Sequence, residues 1–209
     1  VPTLSSVSLI SNNSNVTFAV HNDYVILTFT ASETLSVAAV TFSSGGTPIN
    51  SGRVTATGGG TAFTFFYRAL NTDPDGPITF SVAFTDVAGN VGAPDNTVDD
   101  SSSVLLDTTA PTLSPVTIAS SGSPSTSWAT TNDVVTLSYT SNETLQTRPT
   151  VVFLSGSQPV ADRGNIIYTN SGNSYTAKYT PASGDIEGPV SYTITFTNQH
   201  LIAGTAVVG

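Results

Sequence analysis

Residues Asn22 to Leu35 read Asn-Asp-Tyr-Val-Ile-Leu-Thr-Phe-Thr-Ala-Ser-Glu-Thr-Leu, and residues Asn132 to Leu145 read Asn-Asp-Val-Val-Thr-Leu-Ser-Tyr-Thr-Ser-Asn-Glu-Thr-Leu. The likeness continues with Phe42 against Phe153, Pro48 against Pro159, Asp75-Gly76-Pro77 against Glu187-Gly188-Pro189, and Phe84-Thr85-Asp86 against Phe196-Thr197-Asn198. Self-similarity at a near-fixed spacing is the mark of a modular array. The spacing, 110 residues between Glu33 and Glu143, is too long for a solenoid repeat and long enough for each copy to bury its own core. The stretch Asp107-Thr108-Thr109-Ala110-Pro111-Thr112-Leu113-Ser114 is the junction, and its tail recurs as Pro2-Thr3-Leu4-Ser5. The expected domains are therefore 1–108 and 109–209, with Val1 reading as a cut inside an earlier junction.

Within each copy the apolar residues alternate. Val25, Leu27, Phe29 and Ala31 point one way, as do Phe63, Phe65 and Tyr67, and Ile78, Phe80, Val82 and Phe84. The second copy repeats this with Val135, Leu137 and Tyr139, then Tyr175, Ala177 and Tyr179, then Val190, Tyr192, Ile194 and Phe196. Turn chemistry separates the runs at Ser44-Gly45-Gly46, Gly58-Gly59-Gly60 and Pro74-Asp75-Gly76. Period-two runs between such turns predict antiparallel β-sandwiches of about seven strands each. Val104, Leu105 and Leu106 supply the last strand of the first. The second lacks an equivalent and reads as truncated at its C-terminus: either Thr205 to Val208 substitutes, or that strand belongs to residues outside the chain. Trp128, the only tryptophan, aligns with Phe18, and both are expected to plug the core. Phe66 breaks the alternation and is expected to face outward.

Composition narrows the function. A formal charge of −9 disfavours nucleic acid and anionic membranes as partners, since both need a basic patch. No apolar run approaches the roughly 18 residues of a membrane span. Without cysteine there is neither a disulfide framework nor a thiol nucleophile. His21 and His200 fall in non-equivalent loops, and no nucleophile elbow or His-x-x-x-His pair occurs, so catalysis is not expected.

The junction Asp107-Thr108-Thr109-Ala110-Pro111, the segment Thr30-Ala31-Ser32-Glu33 and the turn Asp86-Val87-Ala88-Gly89-Asn90 together resemble the bacterial immunoglobulin-like repeats found in tandem in large secreted adhesins and surface proteins. The second copy departs from that pattern, with Asn198-Gln199-His200-Leu201-Ile202-Ala203-Gly204 in place of the last turn. The resemblance implies two tandem immunoglobulin-like sandwiches, a spacer or stalk role at the cell surface or outside the cell, and calcium stiffening of junctions. In the immunoglobulin strand order, Asp23, Asp73, Asp75 and Asp107 fall at the end where the chain leaves the first sandwich. Glu143 and Asn198 fall where it enters the second. These six are the candidate calcium ligands, since calcium seeks six to eight hard oxygens; ordinary turn formation by the same acids is the competing reading. Asn12, Asn15 and Asn142 begin Asn-x-Ser/Thr sequons and are candidate glycosylation sites.

The resulting expectation is a non-catalytic spacer of a large extracellular adhesin or surface filament. Its partners are neighbouring repeats of the same polypeptide and other copies in a fibre. A glycan-binding module and an accessory domain of a secreted hydrolase are the alternatives. An exposed aromatic cluster on one sheet face would favour the glycan reading.

Overall fold

The computed structural model describes residues 1–122, 124–160 and 165–209. The chain divides into two compact units, Val1–Thr109 and Ala110–Gly209. Apart from one 3-10 turn at Ser51–Arg53, the regular structure among the described residues is β-strand.

The first unit contains β1 (Leu4–Ser11), β2 (Phe18–Ala19), β3 (Tyr24–Ala31), β4 (Leu35–Ser44), β5 (Thr47–Pro48), β6 (Thr55–Gly59), β7 (Ala62–Arg68), β8 (Gly76–Asp86) and β9 (Leu105–Leu106). One sheet runs β1-β3-β7-β6 and the other β2-β9-β8-β4-β5. The alternating residues meet between them. Val25, Leu27, Phe29 and Ala31 are all buried, and so are Phe65 and Tyr67 from β7 and Ile78, Phe80, Val82 and Phe84 from β8. Strand formation follows from this alternation, because each run can hide one face only if it is extended. Stacked rings of Phe29 and Phe65, 5.9 Å between centroids, fill the middle of the first sheet's inner face.

The second unit repeats the plan with β10 (Leu113–Ser120), β11 (Val135–Ser141), β12 (Thr150–Ser155), β13 (Gln158–Pro159), β14 (Ile167–Ser171), β15 (Ser174–Tyr179), β16 (Val190–Thr195) and β17 (Val207–Val208). Its sheets run β10-β11-β15-β14 and β13-β12-β16-β17. Registers match between units: Phe42 faces Phe80 across β4 and β8, as Phe153 faces Tyr192 across β12 and β16. In both units a glycine of the hairpin after the third long strand packs on a glycine at the entry to the last long strand. A Cβ on Gly76 would lie 2.9 Å from the Gly45 Cα, and one on Gly188 2.8 Å from the Gly156 Cα, so a side chain at either position would drive the loops apart.

The units differ at the last strand. β9 runs parallel to β2 and antiparallel to the start of β8. β17 instead pairs with Thr193 and Ile194, and its contact between Val207 and Ile194 corresponds to the Asp95–Val82 bridge of the first unit. So Thr205 to Val208 does supply a strand, but not the counterpart of β9. This overturns the core-plug expectation for Trp128. Phe18 is half-buried because β2 is held by β9. No pairing of that kind is present among the described residues of the second unit, and Trp128 is 78% exposed. Phe66 does face outward, half-covered, with its ring edge-on to Tyr24 at 5.7 Å.

Candidate functional site

The segment that joins the units is held at each end by side chains from its own unit. Asp75 sits in the loop before β8. Its Oδ1 accepts from the Thr108 amide at 2.7 Å and the Thr108 hydroxyl at 2.9 Å. Its Oδ2 accepts from the Thr109 hydroxyl. Asp107 adds a local bond, its Oδ1 accepting from the Thr109 amide at 3.1 Å. A carboxylate taking several hydrogen bonds from one short stretch fixes that stretch more firmly than neutral contacts would.

The second unit holds its own first residues by a different pair. The Thr112 amide donates to the Asn142 Oδ1 at 2.7 Å, and the Asn142 amide donates to the Thr112 carbonyl at 3.1 Å. The first unit contains the same clamp: the Thr3 amide donates to the Ser32 hydroxyl at 3.0 Å, and the Ser32 amide to the Thr3 carbonyl at 2.9 Å. Sequence reading marked Asn142 only as a sequon and did not mark Thr3, Ser32 or Thr112. The one available signal was the recurrence of Pro-Thr-Leu before the first strand of each copy. Between the clamped residues Thr109 and Thr112 only Ala110 and Pro111 remain.

The other predicted ligands have partners within their own units. The Asp23 Oδ2 accepts from the Val20 amide at 2.8 Å and the Asn13 Nδ2 at 2.7 Å. Asp73 is buried; it accepts from Arg53 Nη1 at 2.5 Å and Nη2 at 2.7 Å, and from the Leu70 amide at 2.9 Å. Burial alone would raise the Asp73 carboxyl pKa, but the hydrogen bonds from Arg53 and Leu70 and the Arg53 charge outweigh it and hold it below the ordinary value. Asp133 and Asp185, which sequence reading did not mark, close the same kind of turn by accepting the amide three residues earlier, from Thr130 and Ala182. The recurring acids thus carry recurring turns.

Asn198 is fully buried, and its Oδ1 accepts from the amides of His200 and Ile202 at 3.0 and 2.9 Å. Asp86 does the equivalent work in the first unit, accepting from the Asn90 amide at 2.8 Å and the Asn90 Nδ2 at 2.7 Å. The side-chain bond from Asn90 is the main reason its carboxyl titrates below the ordinary range. Glu143 meets Asn198 directly, Oε2 accepting from Nδ2 at 3.2 Å. Among the described residues no group of three or more His, Cys, Asp or Glu side chains is gathered as a metal site would need. The sequon residues Asn12, Asn15 and Asn142 are all exposed, with their side-chain carbonyls accepting from Tyr24, Thr17 and Thr112 respectively.

One aromatic group stands on an outer sheet face. Tyr24, Phe66 and Ile26, with Asn12 and Thr64, line a shallow depression of about 230 Å³ in the first unit. Register places Val134, Lys178 and Thr136 at the corresponding positions of the second unit, so the cluster is not repeated.

These features define the class: two immunoglobulin-like β-sandwiches in tandem. The chain aligns over 100% of its length with an I-band fragment of titin, at 11% identity and a TM-score of 0.54, covering 63% of that chain. A three-immunoglobulin titin structure carrying Glu-to-Ala mutations aligns over 99% of the chain at 11% identity and a TM-score of 0.53, again covering 63% of that chain. The chain therefore spans less than two thirds of these solved structures, and the likeness is one of fold. No protein-family model matches the sequence. No curated protein matches it either.

Proposed function

We propose that the chain is a non-catalytic spacer segment of an extracellular stalk, adhesin or surface filament built from tandem immunoglobulin-like repeats. The observation that carries this reading is the clamped junction. Asp75 ties down Thr108 and Thr109, Asn142 ties down Thr112, and the only residues between include Pro111, whose ring fixes its own φ and biases Ala110 towards extended backbone. A chain that spends side chains on both ends of a junction limits the freedom of the hinge. Sparse charge and abundant hydroxyls, with 9% charged residues, suit a soluble surface with little specific adhesion. Neighbouring repeats are the natural partners.

The test is small-angle scattering on the chain and on a variant with Gly-Gly-Ser-Gly inserted between Thr109 and Ala110. The spacer reading expects a narrow distribution of maximum dimensions that the insertion broadens. Equal breadth in both would show the hinge to be free already. The same measurement with calcium and with a chelator decides between hydrogen-bonded and cation-held acids. We propose the former for Asp75 and Asp107; a longer particle and a raised unfolding midpoint in calcium would assign them to the cation.

A second reading, glycan contact on the outer face of the first unit, is favoured by the Tyr24–Phe66 cluster. An aromatic plane beside amide and hydroxyl groups suits a sugar ring. Chemical-shift changes confined to Tyr24, Phe66 and Asn12 during oligosaccharide titration would support it, and a titration with no shifts there would refute it.

A further inference from the structure

The aromatic depression around Tyr24 and Phe66 does not end at Thr64. A larger hollow of about 470 Å³ begins at that residue and continues along the same outer face of the sheet β1-β3-β7-β6. Thr64 lines both. Register explains why they join. Ile26 faces Phe66 across β3 and β7, and Thr28 faces Thr64 one outward step further on. Thr57 on β6 faces Thr64 from the other side, and Ser8 on β1 faces Thr28. A row of hydroxyls therefore crosses all four strands. Beyond it Thr30 faces Ala62, and Ala62 faces Gly59, small residues that leave the face open. From Tyr24 to Thr30 the groove follows β3 for about 20 Å at the rise of an extended strand.

Two properties of this groove select a ligand. The first is charge. Among the described residues the only charged side chain on these four strands is Arg68, opposite Tyr24 at one end, and its Nη2 donates to the Asn22 Oδ1 at 2.5 Å. The chain as a whole carries −9, so an acidic ligand is repelled and a neutral one is not. The second is hydrogen-bonding capacity. Among the described residues the hydroxyls of Thr28, Thr57 and Thr64 have no protein partner, and each can both donate and accept. The second unit gives the contrast. Its counterparts of Thr57 and Thr64 are Thr169 and Thr176, whose hydroxyls bond to each other at 2.6 Å, and Lys178 takes the place of Phe66.

We infer that the outer face of the first unit is a binding groove for an extended, neutral, β-linked glycan. The inference rests on the glycan reading of the aromatic cluster and adds the length, the charge class and the second half of the site. At one end the rings of Tyr24 and Phe66 stand at 79° to each other, so one can lie under a sugar ring while the other closes its side. At the other end Thr28, Thr57 and Thr64 exchange hydrogen bonds with sugar hydroxyls. A β-linked chain suits both ends because it stays extended, with C–H faces for the rings and hydroxyls along its edges. An apolar platform with a few placed polar groups is how small-molecule sites gain affinity and orientation together.

The experiment titrates the 209-residue chain with cello-oligosaccharides and chito-oligosaccharides, each as the disaccharide and the tetrasaccharide, and follows backbone amide chemical shifts. In at least one series the tetrasaccharide should bind at least about tenfold tighter than the disaccharide, because only the longer chain reaches from the rings to the threonines. Thr28→Val with Thr57→Val keeps the side-chain shape and touches only the hydroxyl end. It should bring the tetrasaccharide down to the affinity of the disaccharide and leave the disaccharide unchanged. Tyr24→Ala, at a position 40% exposed, should abolish binding of both while the unfolding midpoint stays near wild type. Tetragalacturonate, an acidic chain of the same length, should not bind. No shifts with either series overturn the inference together with the glycan reading beneath it. Shifts at Tyr24 and Phe66 with equal affinity for both lengths, or a tetrasaccharide affinity that survives the double valine change, overturn the inference and leave that reading standing. Equal binding of tetragalacturonate overturns the neutral class.

Discussion

Replacing Asp73 by asparagine tests whether the first unit depends on a single buried carboxylate. The side chain of Asp73 is 5% exposed and that of Arg53 is 27% exposed. Asparagine keeps the size and one acceptor for the Leu70 amide, but removes the charge that receives both Arg53 bonds. Hydrogen bonds to charged groups contribute about 1.5–3 kcal/mol each, and breaking a buried pair costs about 3–5 kcal/mol. Arg53 reaches water and keeps its bond to the Arg68 carbonyl at 2.5 Å, so the stranded guanidinium is partly compensated. The loss should sit near the lower end, about 2–3 kcal/mol, which for a domain of this size lowers the midpoint by about 10 °C. Calorimetry should show the first unit's transition lowered while that of the second unit stays unchanged. Because the folded Asp73 pKa is depressed, its contribution is fully present above the unfolded carboxylate pKa of about 4 and is lost as pH falls through the folded value. Wild type and Asp73→Asn should therefore converge in stability on acidification below about pH 4. A loss under about 0.5 kcal/mol at pH 7, or curves that stay parallel into acid, would refute the reasoning.

Two further outcomes follow from the comparison of the units. Leu201 sits at φ +66 and is 63% exposed, at the position where the first unit has Gly89 at φ +87. Leu201→Gly should therefore stabilise the second unit by about 1 kcal/mol, read as a raised midpoint of its calorimetric transition; a lowered midpoint would show that the leucine side chain matters more than its backbone strain. The Tyr139 hydroxyl is buried with no protein hydrogen-bond partner among the described residues, and burial pushes its pKa up. Tyr139→Phe should be neutral or stabilising by up to about 1 kcal/mol in denaturant unfolding, whereas a clear loss would reveal a bond to that oxygen.

What the sequence made legible is what depends on near neighbours along the chain. Val25, Leu27, Phe29 and Ala31 announce a half-buried strand because a period of two has only one physical solution. Asp86 to Asn90 announce a turn because all five residues lie within one loop. Trp128 shows where that reasoning stops. Its alignment with Phe18 is sound, and it occupies the same place in the fold, but burial of that place depends on β9, more than eighty residues away. The acids divide in the same way. Asp23, Asp133 and Asp185 close turns within three residues, while the partner of Asp73 is Arg53, on a separate loop with no pattern to link them. The clamps at Thr3 and Thr112 were hidden for the same reason: each joins the residue before one strand to the residue after another.

The junction is where these two kinds of information meet. Pro111 is local, and its effect on Ala110 can be read from two letters. The bonds from Asp75 and Asn142 are not local, yet on the proposed spacer reading they give the proline its consequence, since a stiff residue between two free ends would stiffen nothing. Asp75 is replaced by Glu187 in the second copy, and Asn142 by Ser32 in the first, so each half of the clamp can be tested by exchange. Glu has one more methylene than Asp, and its carboxylate cannot take the two threonines in the same geometry. If Asp75→Glu broadens the scattering distribution while Asn142→Ser leaves it narrow, the control of the hinge lies at the exit of the first unit. If neither does, although the Gly-Gly-Ser-Gly insertion broadens it, Pro111 sets the hinge alone.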